Sequence, residues 1–180
     1  LDPDHLAYMV LDQPADIPRF VHAEVAEIAG VDVYPWNGST ASNLTKVVDS
    51  WSQLTTTLKG LSDRTSICVP QAFGWQNYNG NPSETLPPAA ASRAMSYAAL
   101  ALGCRGLIMY SYYDLFQTTS PKDAPYANRT RASPEVIAAR LRELGLLGQE
   151  IHALESVLLD GQVERLALPP ALPPGVVGGR

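Results

Sequence analysis

Apolar residues along this chain follow two alternating patterns, which are short continuous runs and stripes at helical spacing. Four runs predict buried β-strands, at residues 6–11, 27–35, 65–73 and 105–114. Pro70 is expected to end regular pairing in the third strand, because proline has no amide hydrogen to donate to a sheet. Strands this apolar are typical of a parallel sheet that is covered on both faces.

Two helices are predicted between the first three strands. The first covers residues 16–26, with Asp16 as a possible N-cap and Pro18 in the first turn. In the second, apolar residues recur every three or four positions over residues 44–58, and Gly60 follows where a helix would end.

Two more helices follow the third and fourth strands. One begins after Pro88 and ends at Gly103. The other has the strongest pattern in the chain, with Ser133 as its N-cap, Pro134 in its first position and an end near Gly161. Its apolar stripe consists of Ile137, Leu141, Leu144, Leu147, Ile151, Leu154 and Leu158. The remaining segment, residues 161–180, is a tail rich in proline and glycine.

The strand–helix order, repeated four times, predicts an α/β fold with parallel strands and right-handed crossovers. A doubly wound sheet and part of a (βα)8 barrel both fit this order. Polar or aromatic residues follow all four strands, and a barrel enzyme builds its site from many strand ends. A complete barrel needs about 250 residues. Residues 1–160 are therefore interpreted as four βα units, the C-terminal half of a TIM (β/α)8 barrel.

Composition narrows the class of protein. The chain has 180 residues, of which 46% are hydrophobic and 17% charged, as in a globular domain. A net charge of −5 supplies no basic surface, so nucleic acid is not an expected partner. No apolar run approaches the ~20 residues that span a membrane. Because no signal segment precedes Leu1, the chain is interpreted as a processed product or a fragment.

The cysteines and the asparagines bear on the compartment. Cys68 and Cys104 both lie in apolar neighbourhoods, so two buried thiols are expected rather than a disulfide. Three Asn-x-Ser/Thr sites, at Asn37, Asn43 and Asn128, favour a secreted glycoprotein.

Three segments carry a resemblance to a known family. They read GVDVYPW, VPQAFGW and AMSYAALALGCRGLIMYSYYD, in that order. Together they resemble the last strands of glycoside-hydrolase-like TIM barrels, and the resemblance covers residues 6–160. It implies that the four strands correspond to strands five to eight. Three sources of the missing half are left open, which are another chain, a second copy of this chain, or only the precursor.

The resemblance implies a carbohydrate site at the carboxyl ends of the strands. Aromatic planes stack on the apolar faces of sugars, and carboxylates and amides bind their hydroxyl groups. The predicted site residues are Asp12, Asp32, Tyr34, Trp36, Gln71, Trp75, Tyr110, Tyr112 and Asp114. The histidines are scattered without metal spacing or a catalytic triad, so no metal and no cofactor are expected.

Glycoside hydrolysis usually needs two carboxyl groups. Where the resemblance places a strand-seven carboxylate, this sequence offers Gln71 or Ala72, depending on how PQAFG is aligned, and neither side chain ionises. The strand-four carboxylate has no counterpart in this chain. The candidate catalytic pairs are Asp32 with Asp114, or Asp12 with Asp32, and Asp32 is the most important of them. Three hypotheses follow: a glycoside-hydrolase-like enzyme, a non-catalytic carbohydrate-binding domain or pseudoenzyme, and a structural subunit derived from a barrel.

Overall fold

The chain forms an α/β fold around one parallel sheet. The computed structural model describes residues 6–23, 26–38, 44–79, 81, 83–116 and 132–160. The predicted parallel pairing is confirmed, and each strand lies beside the next one along the chain. The strands are β1 (Tyr8–Leu11), β2 (Ile28–Asp32), β3 (Thr65–Val69) and β4 (Gly106–Leu107).

Helices follow the strands, as the pattern predicts. They are α1 (Ile17–His22), α2 (Thr45–Leu58), α3 (Gln76–Asn79), α4 (Ala89–Ala101), α5 (Pro134–Ala153) and α6 (Glu155–Asp160). Two short 3-10 turns cover Pro14–Asp16 and Tyr113–Phe116.

The helix ends agree with the sequence pattern at several positions. The exception is α1, which ends at His22 rather than near residue 26 and has no side-chain capping bond from Asp16. The Ser133 hydroxyl accepts a hydrogen bond from the Val136 amide at 3.4 Å and caps α5. Gly60 and Gly103 have φ values of +89° and +92°, which glycine adopts readily, and each lies just beyond a helix end. At Leu154 the last predicted helix divides into α5 and α6. The predicted tail lies outside the described residues.

The strands are shorter than their apolar runs. β3 ends at Val69, immediately before Pro70, as predicted. β4 has only two residues. The chain beyond β4 nevertheless stays beside the segment that follows β3, and the Tyr110 amide donates to the Pro70 carbonyl at 3.0 Å. Proline has no amide hydrogen to return such a bond, so the regular ladder stops there.

The hydrophobic core lies between the sheet and α1, α2 and α4. Val31, Trp51 and Met95 contribute fully buried side chains from β2, α2 and α4. The indole nitrogen of Trp51 donates a hydrogen bond to the Val31 carbonyl at 3.2 Å. This contact fixes α2 against the sheet both by packing and by a polar bond.

The opposite face of the sheet is open within the described part of the chain. Tyr8, Val10 and Ile108 alternate with core positions and are between 39% and 43% exposed. The Tyr8 ring lies against Gly30, where a β-carbon would come within 2.8 Å of the Tyr8 hydroxyl. The sheet therefore has one face packed by helices and one aromatic and aliphatic face without such a layer.

The expectation of two free thiols is wrong. Cys68 and Cys104 form a disulfide, with their α-carbons 6.2 Å apart. Cys68 lies in β3, and Cys104 lies in the turn that leads from α4 into the neighbouring strand β4. The apolar neighbourhoods correctly indicated burial. They did not show that adjacent strands bring the two sulfur atoms together.

Two predictions from the sequence concern the glycosylation sites and the lack of a membrane span. Asn37 is exposed, whereas Asn43 and Asn128 lie outside the described residues. Among the helices that the structure describes, none is long and apolar enough to cross a membrane.

Trp51→Phe should lower the free energy of unfolding by about 2 kcal/mol. The substitution leaves a cavity and removes the indole N–H that donates to the Val31 carbonyl. Urea unfolding of the variant measures the change. Val48→Ala, at a 39% exposed position on the same helix, serves as the control and should cost much less. Equal losses in both variants would contradict this role for Trp51.

Candidate functional site

The carboxyl ends of β1 and β2 bring two predicted site residues together. Leu11 pairs with Val31, so Asp12 and Asp32 follow at the same level on neighbouring strands. Both line one cavity of about 430 Å³, which we call the strand-end cleft. Its lining residues are Asp12, Pro14, Asp32, Val33, Tyr34, Lys46, Asp49, Ser50 and Trp75.

The cleft combines carboxylate, ammonium, hydroxyl and aromatic groups. Asp12, Asp32, Tyr34 and Trp75 are the predicted site residues that line it. α2 adds Lys46, Asp49 and Ser50 from its first two turns. These groups can accept hydrogen bonds, donate them and stack against a flat apolar surface.

Asp32 has an unsatisfied oxygen in this site. Its Oδ1 atom is buried and has no hydrogen-bond partner among the described residues. Burial, and then a hydrogen bond to Asp32, raise the pKa of Tyr34 well above its ordinary value. Tyr34 therefore remains a protonated phenol that can donate to the Asp32 carboxylate. A buried polar atom without a partner is uncommon and calls for a ligand or water.

An aromatic cluster around Phe73 holds the two rings of the cleft. Phe73 is 1% exposed, and its ring centroid lies 4.9 Å from Tyr34 and 5.0 Å from Trp75. It also lies 4.8 Å from Tyr78. Tyr110 stacks on Tyr34 at 5.6 Å with an interplanar angle of 24°. The predicted residue Tyr110 thus supports the cleft from behind Tyr34.

Gln71 joins the segment after β2 to the segment after β3. Its Oε1 atom accepts from the Trp36 amide at 2.9 Å, and its Nε2 atom donates to the Trp36 carbonyl at 3.1 Å. Nε2 also donates to the Phe73 carbonyl at 2.9 Å. Gln71 is fully buried and Trp36 is 9% exposed. The Gln71 amide therefore positions the loops that carry the aromatic cluster.

Asp114 is a second buried carboxylate with a different environment. It accepts hydrogen bonds from the Asn77 amide at 3.0 Å and from the Tyr78 hydroxyl at 2.8 Å. The Ser111 hydroxyl is a third donor to it. Burial and the bond to Asp114 raise the pKa of Tyr78. This network ties the loop after β3 to the segment after β4.

The two predicted carboxylate pairs differ in their placement. Asp12 and Asp32 line the same cleft. Asp114 is 0% exposed and lies in the network with Tyr78. Tyr112, another predicted site residue, is 70% exposed and packs on Phe116, with ring centroids 4.9 Å apart.

Lys46 and Phe73 are site residues that the sequence analysis did not identify. Lys46 occupies the first turn of a helix whose pattern was interpreted only for its apolar stripe. Phe73 ends the third apolar run, a pattern that predicts a strand and not a site residue. The sequence did contain a signal for Lys46, because this residue lies at the start of the helix that follows the strand ending in Asp32. Within the described ranges, no group of three or more metal-binding side chains comes together.

Comparisons of the chain with protein-family models, with curated proteins and with solved structures give no match. The resemblance to glycoside-hydrolase-like barrels therefore stays a prediction from the sequence segments.

Tyr34→Phe should reduce the loss of stability at alkaline pH. The pKa of Tyr34 is higher in the folded protein than in the unfolded chain. The contribution of this phenol to the free energy of unfolding is therefore fully present below the unfolded pKa of about 10, and it is lost as the pH rises above that value. Unfolding measured between pH 8 and pH 11 should show a shallower decline in the variant. Tyr112→Phe, which removes an exposed phenol, is the control. The same decline in both variants would contradict the assignment.

Proposed function

We propose that the chain binds carbohydrate in the strand-end cleft. The observation that carries the proposal is the joint presence of Trp75, Tyr34, Asp12 and Asp32 around one cavity. A sugar ring offers an apolar face to the aromatic side chains and hydroxyl groups to the carboxylates.

The unsatisfied oxygen of Asp32 supports this ligand chemistry. Within the cleft, a sugar hydroxyl can donate to Asp32 Oδ1, and the Lys46 ammonium can donate to a sugar oxygen. Such a bond satisfies a buried acceptor that has no partner among the described residues. Phe73 holds Trp75 and Tyr34, so little side-chain entropy is lost when a sugar stacks on them.

The wider architecture is proposed to be half of a (β/α)8 barrel. The consecutive parallel strand order and the open sheet face support this interpretation. In a closed barrel, Tyr8, Val10 and Ile108 would lie in the interior, and the edges of β1 and β4 would be paired. A copy of this chain, or another chain, would then supply the other half.

Hydrolysis of the bound sugar is the second candidate function. Asp12 and Asp32 supply two carboxyl groups in one cleft, which is the minimum for glycoside hydrolysis. Gln71 occupies the position where the resemblance places a nucleophile, and its amide is bonded to backbone groups. Binding is therefore the primary proposal, and an Asp12–Asp32 pair would carry any turnover.

Trp75→Ala should weaken carbohydrate binding about tenfold or more, because it removes a stacking surface of the cleft. A panel of oligosaccharides screened on an array, followed by calorimetry on the best one, measures the effect. Tyr112→Ala removes an exposed aromatic ring outside the cleft and should leave affinity unchanged. If the wild-type protein binds no oligosaccharide, the proposal fails and the structural-subunit hypothesis gains support.

Asp32→Asn separates binding from turnover. If the bound oligosaccharide is hydrolysed, the variant should lose about a hundredfold or more in rate while it keeps affinity within a few fold. Reducing-end release and calorimetry on the same samples measure the two quantities. Asp63→Asn, at an exposed position outside the cleft, is the control. Unchanged hydrolysis in Asp32→Asn would exclude Asp32 as a catalytic residue.

A further inference from the structure

A second cavity lies between α4, α5 and the β4 segment. Its volume is about 400 Å³, within the range of small-molecule sites. It shares no lining residue with the strand-end cleft. We call it the α4–α5 cavity. The buried and half-buried residues of its lining, which we call the inner lining, include Ser96, Leu100, Leu107, Met109, Leu147 and Ile151.

The helices around this cavity are joined on one side by polar contacts. Glu150 of α5 forms an ion pair with Arg93 of α4 at 2.6 Å. It also accepts a hydrogen bond from the Tyr97 hydroxyl at 3.2 Å. These bonds hold α5 against α4, so the packing of the two helices fixes the cavity between them and β4.

Ser96 is the one inner lining residue with a polar side chain. It is 0% exposed, and its Oγ atom has no hydrogen-bond partner among the described residues. A buried hydroxyl without a partner costs free energy. An ordered water needs two to four polar partners, and the inner lining supplies a single polar side chain. The cavity therefore favours an occupant that is mostly apolar.

The charged lining residues Arg105, His152 and Glu155 are exposed and form the rim of the cavity. Their polar groups are engaged in contacts with neighbouring groups. His152 pairs with Glu155 at 2.8 Å. Arg105 donates to the Leu158 carbonyl at 2.7 Å. A charged ligand would have to compete with these contacts or enter an apolar space without a counter-ion, which is costly. The rim thus favours a neutral ligand.

We propose that the α4–α5 cavity binds a small neutral aliphatic molecule that carries one hydroxyl or carbonyl group. The aliphatic part contacts the leucine, isoleucine and methionine side chains. The polar group pairs with the Ser96 hydroxyl, which can donate or accept. This site lies apart from the proposed carbohydrate site and does not depend on it.

Two glycines on α5 provide a matched pair of variants. Gly148 lines the cavity, whereas Gly145 does not. At both positions a β-carbon would meet no atom within 4 Å. Leucine is also a better helix former than glycine, so neither substitution should disturb the helix. Gly148→Leu therefore fills the cavity, and Gly145→Leu controls for added bulk and helix propensity.

Calorimetric titration with octan-1-ol tests the proposal. The wild-type chain and Gly145→Leu should bind it saturably, and Gly148→Leu should lose affinity at least tenfold. Ser96→Ala should weaken binding about two- to tenfold, the range of one hydrogen bond. Octanoate, which has the same chain length and a negative charge, should bind more weakly than octan-1-ol.

Three results would overturn the proposal. The first is no saturable binding of octan-1-ol to the wild-type chain. The second is an equal loss of affinity in Gly145→Leu and Gly148→Leu. The third is a self-associated wild-type chain that Gly148→Leu converts to monomer in sedimentation, which would identify the cavity as a protein contact. Circular dichroism of each variant verifies folding, and Ser96→Ala keeps the test valid if Gly148→Leu misfolds.

Discussion

Parallel hydrogen bonding between β1, β2 and β3 is the interaction on which the rest of this structure depends. The register places Leu11 beside Val31 and Val31 beside Cys68, so the carboxyl ends of the strands meet at one edge. The residues that follow each strand therefore lie close together at this edge of the sheet. The strand-end cleft exists because this register brings Asp12 and Asp32 to the same level.

The same sheet has two faces with different surroundings. On one face, α1, α2 and α4 bury a continuous core, in which Trp51 contributes both packing and a hydrogen bond. On the other face, Tyr8, Val10 and Ile108 remain substantially exposed. An exposed apolar surface of this kind is a common mark of an interaction site. The proposal of a missing half-barrel follows from this asymmetry.

Buried polar groups in this fold have two different roles. Gln71 uses its amide oxygen and nitrogen, and Asp114 its carboxylate oxygens, to join loops to one another. Asp32 and Ser96 each keep one buried oxygen without a partner among the described residues, and each lines a cavity. The first role positions the aromatic cluster. The second indicates where ligands can supply the missing bonds, and both proposals rest on it.

The sequence by itself determined the alternation of strands and helices, the helix caps at Ser133 and Gly103, and the residues that follow each strand. These features are local, because periodicity and capping involve neighbours within a few positions. Only the tertiary structure decided that Asp32 lines a cleft while Gln71 bonds to backbone groups. It also decided that the two cysteines pair. Such outcomes depend on strand register and on distances between remote segments, which a local pattern does not encode.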